Sequence, residues 1–163
     1  MSFLLFVVPV SLAGCGFAPL YGQPGVVSNL AAIAVEAPEG RTGFLMRQHL
    51  DDAFGRNASA TPTYHMRLAL GEQRFPRGVR VDNVATRYEY VLTATYDLVA
   101  VPSGALAKRG TVRVELTYDS ADQPYASVAA QQDAQDRAAT EAARRIQMDL
   151  AAWLAEGAKP AGA

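Results

Sequence analysis

The sequence predicts an α+β fold: a two-layer sandwich in which a four-stranded, mostly antiparallel sheet has two helices packed on one face. Three segments alternate apolar and polar side chains with a period of two, which is typical of strands with one buried face. Two other segments have a helical spacing of apolar residues. The chain has 163 residues, 50% of them hydrophobic, and a formal net charge of -1. These values favour one folded domain and exclude a strongly basic nucleic-acid-binding protein.

The first two predicted elements are a strand and a helix. Residues 30–37 are rich in alanine and include Ile33 and Val35, so they predict a short first strand. A helix follows, with Thr42 as its predicted N-cap and Gly55 at its end. The apolar stripe of this helix consists of Met46, Leu50, Ala53 and Phe54.

Three strands with a clear alternation come next. The apolar face of the first consists of Tyr64, Met66, Leu68 and Leu70. That of the second consists of Tyr88, Tyr90, Leu92, Tyr96 and Leu98. That of the third consists of Val112, Val114, Leu116 and Tyr118. The positions between them are mostly polar, which predicts an antiparallel sheet covered on a single side.

Residues 127–156 predict the last and longest helix, because they are rich in Ala, Gln, Arg and Glu and contain neither Gly nor Pro. The apolar stripe consists of Ala139, Ala143, Ile146, Leu150 and Trp153. Gly157 ends the helix, and residues 157–163 are predicted to form a disordered tail. The folded domain is therefore expected to span residues 30–156.

The N-terminus predicts export and lipidation. Residues 3–13 are almost entirely apolar and lead into Leu12-Ala13-Gly14-Cys15, which contains the only cysteine of the chain. The run is too short for a transmembrane helix, which needs roughly 20 apolar residues, and Pro9 interrupts it. A short apolar region followed by small residues is typical of a cleavable signal peptide, although this one has no basic residue at its start. The tetrad resembles a bacterial lipobox, with residues 1–14 as signal peptide and Cys15 as the acylated residue.

The residues after Cys15 carry a resemblance to a known family. The segment Cys-Gly-Phe-Ala-Pro-Leu-Tyr-Gly at residues 15–22 resembles the mature N-terminus of the LptE family of LPS-assembly lipoproteins. This resemblance implies a lipidated tether over residues 15–29. The other interpretation is a generic lipoprotein tether in which Phe17, Leu20 and Tyr21 pack at a membrane or partner surface. The candidate packing residues of the tether are Phe17, Pro19, Leu20 and Tyr21.

Several further expectations rest on the resemblance. It implies two helices on a four-stranded sheet, and an N-acyl and S-diacylglycerol lipid on Cys15 with no other cofactor. It also implies an outer-membrane location on the periplasmic side, with an LptD-type β-barrel and lipopolysaccharide (LPS) as partners. The function is then a non-enzymatic one in LPS assembly. The alternative function is that of a periplasmic accessory lipoprotein in another envelope transport complex.

Basic residues between the predicted strands form a candidate phosphate-binding site. Residues 71–87 predict a loop that contains a cluster of guanidinium groups beside Phe75, and a guanidinium fork matches phosphate oxygens. The candidate residues are Arg74, Arg77, Arg80, Arg87, Lys108 and Arg109. The alternative is a solvated loop whose arginines pair with local acids, with Lys108 and Arg109 as edge-strand charges that oppose aggregation.

The sequence gives little support to catalysis. His49 and His65 are the only histidines, and neither has the spacing of a metal-ligand motif. No nucleophile elbow or phosphate-binding glycine loop is present in the sequence. A Ser-His-Asp arrangement assembled from distant positions stays open, and it would require His49 or His65.

Overall fold

The computed structural model describes residues 25–79, 85–120 and 123–158. Along the chain, the elements are α1 (Val26–Ala31), β1 (Ile33–Glu36), α2 (Arg41–Phe54), β2 (Tyr64–Val79), β3 (Ala85–Ala100), β4 (Leu106–Asp119) and α3 (Pro124–Ala155). The strands form one sheet in the order β1-β2-β3-β4. β1 is parallel to β2, and the other two pairs are antiparallel. The predicted fold class is confirmed.

A short helix, α1, precedes the sheet and was not predicted. Its six residues lie partly within the segment expected to be a tether, residues 15–29, yet Val26 and Leu30 are each 2% exposed and belong to the core. β1 consequently occupies only Ile33–Glu36 of the predicted residues 30–37. A helix of fewer than two turns is too short to show a helical periodicity, so its formation depends on tertiary contacts.

Helix α2 begins differently from the prediction. Gly40, at a φ of 107°, is the N-cap, and no side chain caps the helix. Thr42 therefore does not cap the helix; it lies inside the first turn and is 4% exposed. The chain is packed closely here, because a Cβ at Gly43 would lie 1.9 Å from the carbonyl oxygen of Pro38. The end at Gly55, at a φ of 60°, agrees with the prediction.

Strand β3 lies in the middle of the three long strands and fixes the two faces of the sheet. Its register places residues of equal parity opposite each other, such as Leu92 opposite Glu72 and Val114. The even-numbered side chains of β3 from Tyr90 to Leu98 are buried under the helices, and most odd-numbered ones lie on the opposite face, here called the open face. The fully buried core includes Met46, Leu50, Met66, Leu92, Tyr96, Leu98, Ile146 and Leu150. The predicted alternation is thus correct for all three long strands.

The segment interpreted as a loop, residues 71–87, is largely strand. β2 continues to Val79 and β3 begins at Ala85, so the antiparallel pairing extends through Pro76. The amide of Val101 donates to the carbonyl of Thr63, and in this register the main-chain groups of even-numbered β2 residues point away from β3. The nitrogen of Pro76 thus lies at the edge that β1 leaves uncovered among the described residues, where no ladder bond is lost.

Helix α3 covers the apolar face of the sheet. Its 32 residues correspond to about 48 Å, which matches strands of 14 to 16 residues. The side facing the sheet is lined by small residues, including Ala134, Ala138 and Ala142, which are fully buried. At its C-terminal end, the Trp153 ring packs edge-on against Tyr64 with 5.8 Å between ring centroids.

A polar contact ties α3 to the centre of the sheet. The Tyr96 hydroxyl donates to the Asp149 carboxylate, and Lys108 Nζ lies 3.0 Å from Asp149 Oδ1. Burial of the ring, together with this hydrogen bond to a carboxylate, raises the pKa of Tyr96. The Tyr96 ring lies across Gly110 on the neighbouring strand, where a Cβ would be 2.5 Å from Cζ and Oη. The absence of a side chain at Gly110 is what allows the tyrosine to reach Asp149.

We expect Gly110→Ala to destabilise the protein by about 1–3 kcal/mol, because the added methyl must displace a fully buried ring. Urea unfolding at neutral pH measures this free energy. Gly71→Ala is the matched control: Gly71 is also in a strand, and a Cβ there meets Thr93 only at 4.0 Å. We expect the control to change the free energy of unfolding by no more than about 0.5 kcal/mol. Equal effects of the two substitutions would contradict the proposed role of Gly110.

Candidate functional site

The open face of the sheet is the most distinctive surface of the domain. It carries a series of charged side chains that pair across neighbouring strands or along one strand. The ion pairs are Arg67–Glu36 at 3.7 Å, Arg77–Glu89 at 2.6 Å, Arg87–Asp119 at 2.8 Å, Arg109–Asp97 at 2.5 Å and Arg113–Glu115 at 2.7 Å. Thr95 and Thr111 join their hydroxyls between two of these pairs at 3.2 Å. The face is therefore polar and nearly neutral.

Two of these ion pairs lower the pKa of their carboxylates. The Arg109 guanidinium bonds both carboxylate oxygens of Asp97 and lowers the pKa of Asp97. In the same way, a hydrogen bond from Arg77 lowers the pKa of Glu89. Both carboxylates consequently remain ionised at a lower pH than a free Asp or Glu side chain does.

The candidate phosphate-binding residues do not form one cluster. Arg77, Arg87 and Arg109 lie on the open face, each beside a carboxylate. Lys108 lies on the helix-covered face beside Asp149. Arg80 is outside the described residues. For four of the six candidates, the structure thus places the cation next to a local acid, which is the alternative that the sequence analysis left open.

Arg74 differs from the other candidates. Its Nη1 donates to the amide oxygen of Gln131 at 2.7 Å, and its guanidinium lies 4.8 Å from the Tyr88 ring centroid. Tyr88 in turn stacks on Tyr118, with 5.7 Å between ring centroids. Among the described residues, none of these partners is a carboxylate, so they leave the positive charge of Arg74 uncompensated. The sequence identified Arg74 as a candidate but not the stacked rings of Tyr88 and Tyr118, because their alternation is that of ordinary strand residues.

Exposed apolar side chains surround the end of the domain where Arg74 lies. Phe75 is 39% exposed, and the Arg77 guanidinium lies 5.7 Å from its ring centroid. α3 begins at the same end, because Ser127 on its first turn contacts Ser120 at the end of β4. Tyr125 and Val128, in the first turns of α3, are 91% and 54% exposed. The hairpin end, defined here by Arg74, Phe75, Arg77, Tyr125 and Val128, thus combines apolar surface with guanidinium groups.

The histidines do not form a catalytic triad with the groups they contact. His49 lies 2.9 Å from Asp136 and 3.3 Å from Thr140, and both contacts involve the same nitrogen, Nε2. A triad requires the acid and the nucleophile on opposite nitrogens of the imidazole ring. His65, on the open face, lies 3.5 Å from Glu36. Within the described part of the chain, no group of three or more His, Cys, Asp or Glu side chains is arranged to hold a metal ion.

Other site predictions concern residues that the structure does not describe. Cys15 and the packing residues Phe17, Pro19, Leu20 and Tyr21 lie outside residues 25–79, 85–120 and 123–158. Their roles remain predictions. None of the helices in the described ranges is long and apolar enough to span a membrane.

The exposed side of α3 carries a separate ion-pair cluster. Glu141 accepts hydrogen bonds from Arg144 and Arg145 at 2.7–2.9 Å. These bonds lower the pKa of Glu141 to about 2. Arg145 also donates through Nη1 to the main-chain carbonyl of Arg113 at 3.0 Å. The cluster thus connects the helix to the edge strand β4.

Fold and surface together define a class of protein: a small α+β domain with a covered face that forms its core and an open, ion-paired face suited to contact with other molecules. Comparison with known proteins agrees with this class. The profile of the LptE lipopolysaccharide-assembly family matches residues 30–150. The chain therefore belongs to the LptE family, a family of accessory lipoproteins in LPS assembly.

Solved structures show the same fold. A lipoprotein from Caulobacter crescentus CB15 is 52% identical, with a TM-score of 0.71 over 84% of this chain and 99% of that one. The rare lipoprotein B of Shewanella oneidensis is 13% identical, with a TM-score of 0.58 over 76% and 95% of the two chains. The lipoprotein B of Nitrosomonas europaea is 13% identical, with a TM-score of 0.56 over 77% and 84%. Among curated proteins, none matches the chain significantly.

We expect the Glu141 cluster to make stability depend on pH in the acidic range. Because folding lowers the pKa of Glu141 from 4.5 to about 2, its contribution is present above about pH 4.5 and is lost as the pH falls towards 2. Glu141→Gln should therefore reduce the melting temperature at pH 6 and have little effect at pH 2. Thermal unfolding followed by circular dichroism at both pH values measures this. An equal loss at both values would show that the contribution of Glu141 is not electrostatic.

Proposed function

We propose that the protein is a non-enzymatic lipoprotein of the outer membrane that assists assembly of an LptD-type β-barrel and insertion of LPS into the outer leaflet. The observation that carries this proposal is the match of the LptE family to residues 30–150, which is most of the folded domain. A lipid on Cys15 would hold the domain at the periplasmic side of the membrane. Because one acyl chain binds a bilayer only marginally, the diacylglycerol and N-acyl groups together provide the stable anchor.

The open face supports contact with a barrel. Large outer-membrane barrels have a polar interior, and the open face presents paired charges and threonine hydroxyls rather than apolar surface. A face with satisfied ion pairs can enter a polar lumen without leaving isolated charges desolvated.

The partnership predicts a stoichiometric complex. We expect a full-length, affinity-tagged protein, purified from detergent-solubilised outer membranes, to retain a large β-barrel protein in a one-to-one ratio, measured by quantitative mass spectrometry. Cys15→Ala is the control for the anchor, and it should reduce the recovery of the protein in the outer-membrane fraction. Recovery of a different envelope transport complex in place of the barrel would overturn the proposal in favour of a periplasmic accessory function.

Direct contact with LPS is best supported at Arg74. Lipid A carries phosphates next to acyl chains, and the hairpin end offers guanidinium groups next to exposed apolar side chains. Arg74 is the candidate whose described partners are an amide and an aromatic ring, so an incoming phosphate does not compete with a carboxylate for it. At Arg77, Arg87 and Arg109, by contrast, the anion must compete with Glu89, Asp119 and Asp97.

We expect Arg74→Gln to weaken the binding of purified LPS by at least about tenfold, since loss of one charge-assisted contact corresponds to roughly 1.5–3 kcal/mol. Arg109→Gln is the matched control, because it removes one exposed, carboxylate-paired arginine and should change the affinity by less than about threefold. The joint change of Arg74, Arg77 and Arg80 to Ala should weaken LPS binding further and leave the barrel complex intact. Fluorescence titration with labelled LPS measures the affinities. Equal effects of Arg74→Gln and Arg109→Gln would rule out a special role for Arg74.

A further inference from the structure

Strand β4 is one edge of the sheet; the other consists of β1 and the part of β2 that β1 does not cover. β4 has 14 residues and pairs only with β3 among the described elements. The amide of Ser120 donates to the carbonyl of Thr86, so in this register the even-numbered residues of β4 bond β3 and the odd-numbered ones point outwards. An independent contact agrees, because the Arg113 carbonyl accepts a bond from Arg145 outside the sheet. The outward donors and acceptors are a template for another strand.

The side chains at these outward positions have an ordered arrangement of charge. Along the open face of β4 the sequence is Arg109, Thr111, Arg113, Glu115, Thr117 and Asp119. Two cations come first, two anions come last, and the threonines lie symmetrically between them. Rotation of the strand by 180° about Val114 therefore exchanges every cation with an anion. The strand is self-complementary in charge.

We infer that β4 is a homodimerisation edge that pairs antiparallel with β4 of a second copy, about a two-fold axis at Val114. In this register, Arg113 lies opposite Glu115 of the second copy, Thr111 opposite Thr117, and Arg109 opposite Asp119. The odd-numbered residues that face each other are those whose main-chain groups point outwards, so each such pair forms ladder hydrogen bonds. On the opposite face, Val112 lies opposite Leu116. The result is one continuous eight-stranded sheet.

Charge selects this register over its neighbours. A register shift of two residues in one direction places Arg113 opposite Arg113 of the second copy. The same shift in the other direction places Glu115 opposite Glu115. Like charges directly opposite each other destabilise a strand pair. A parallel arrangement in register would align every charge with its own kind. The centre at Val114 is therefore the register that satisfies all four charged positions.

In the monomer, several groups of this edge already have partners within the same chain. Arg113 and Glu115 are each 53% exposed and bond each other along the strand, an arrangement that a second copy can replace with two bonds across the interface. Arg145 must release the Arg113 carbonyl before the ladder forms, and its side chain is 46% exposed. Arg109 and Asp119 keep Asp97 and Arg87 as partners and gain a second contact.

The test exchanges charges at the centre of the edge. Arg113→Glu places two carboxylates at positions 113 and 115, and Glu115→Arg places two guanidinium groups there, so neither variant should form a homodimer. An equimolar mixture should form a heterodimer, because every central position then faces an opposite charge. Sedimentation velocity of the detergent-solubilised full-length protein measures the masses. We expect the dissociation constant for the homodimer of each single variant to be at least about tenfold larger than that for the heterodimer in the mixture.

Further variants separate register from general charge effects. The double variant Arg113→Glu with Glu115→Arg restores opposite charges and should dimerise as the unaltered chain does. Arg137→Glu, at an exposed ion pair on α3, changes the same net charge away from the edge and should leave dimerisation unchanged. A monomeric unaltered chain at all concentrations, or a mixture no more dimeric than its components, would overturn the inference. Neither outcome bears on LPS or barrel binding.

Discussion

The structure depends on the pairing of β3 with strands on both sides, because that pairing gives the sheet its two faces. The even-numbered side chains, such as Leu92 and Tyr96, are fully buried under α3 and provide the core. Most of the odd-numbered ones carry the charges and hydroxyls of the open face. A shift of one residue would exchange the two faces and place the charges under the helix. The core, the open face and the free edge of β4 all follow from one register.

Helix α3 reinforces this register through small residues and one polar contact. Ala138 and Ala142 allow the helix to approach the sheet closely, and the Tyr96 ring fills the space above Gly110. The hydroxyl of Tyr96 then reaches Asp149, which also holds Lys108. Because Tyr96 of β3 and Lys108 of β4 share Asp149, a slip of β3 against β4 would leave a buried hydroxyl or a cation without its partner.

The fold was predictable from the sequence to the extent that it follows from periodicity. The alternation from Tyr64 to Tyr118 and the stripe that ends at Trp153 predicted the sheet and the long helix correctly. Helix α1 was missed because its stability comes from burying Val26 and Leu30 rather than from local propensity. The extension of β2 through Pro76 was missed because, within a strand, a proline is tolerated mainly at an unpaired edge or a bulge, and both are properties of the assembled sheet.

The candidate site was less predictable, because charge pairing across a sheet depends on register. From the sequence, Arg74, Arg77 and Arg87 look equivalent. In the sheet, Arg77 and Arg87 face carboxylates from neighbouring strands, whereas Arg74 faces the covered side and meets Gln131. The anion-binding capacity of an arginine depends on whether another carboxylate already compensates it. Among the five candidates that the structure describes, Arg74 is therefore the distinct one.

Among the described strands, the two long stretches of uncovered edge lie on β4 and on the part of β2 beyond β1, and they are protected in different ways. On β2, Pro76 has no N–H to donate and the register shifts after it, so this stretch cannot offer a continuous series of ladder donors to another strand. At the β4 edge, the protection is a hydrogen bond from Arg145, which Glu141 holds in place at 2.7 Å. Exposed contacts of this kind cost little to break. Of these two long stretches, β4 is the one that offers a continuous series of donors and acceptors, and the charges along it favour a strand with the complementary sequence.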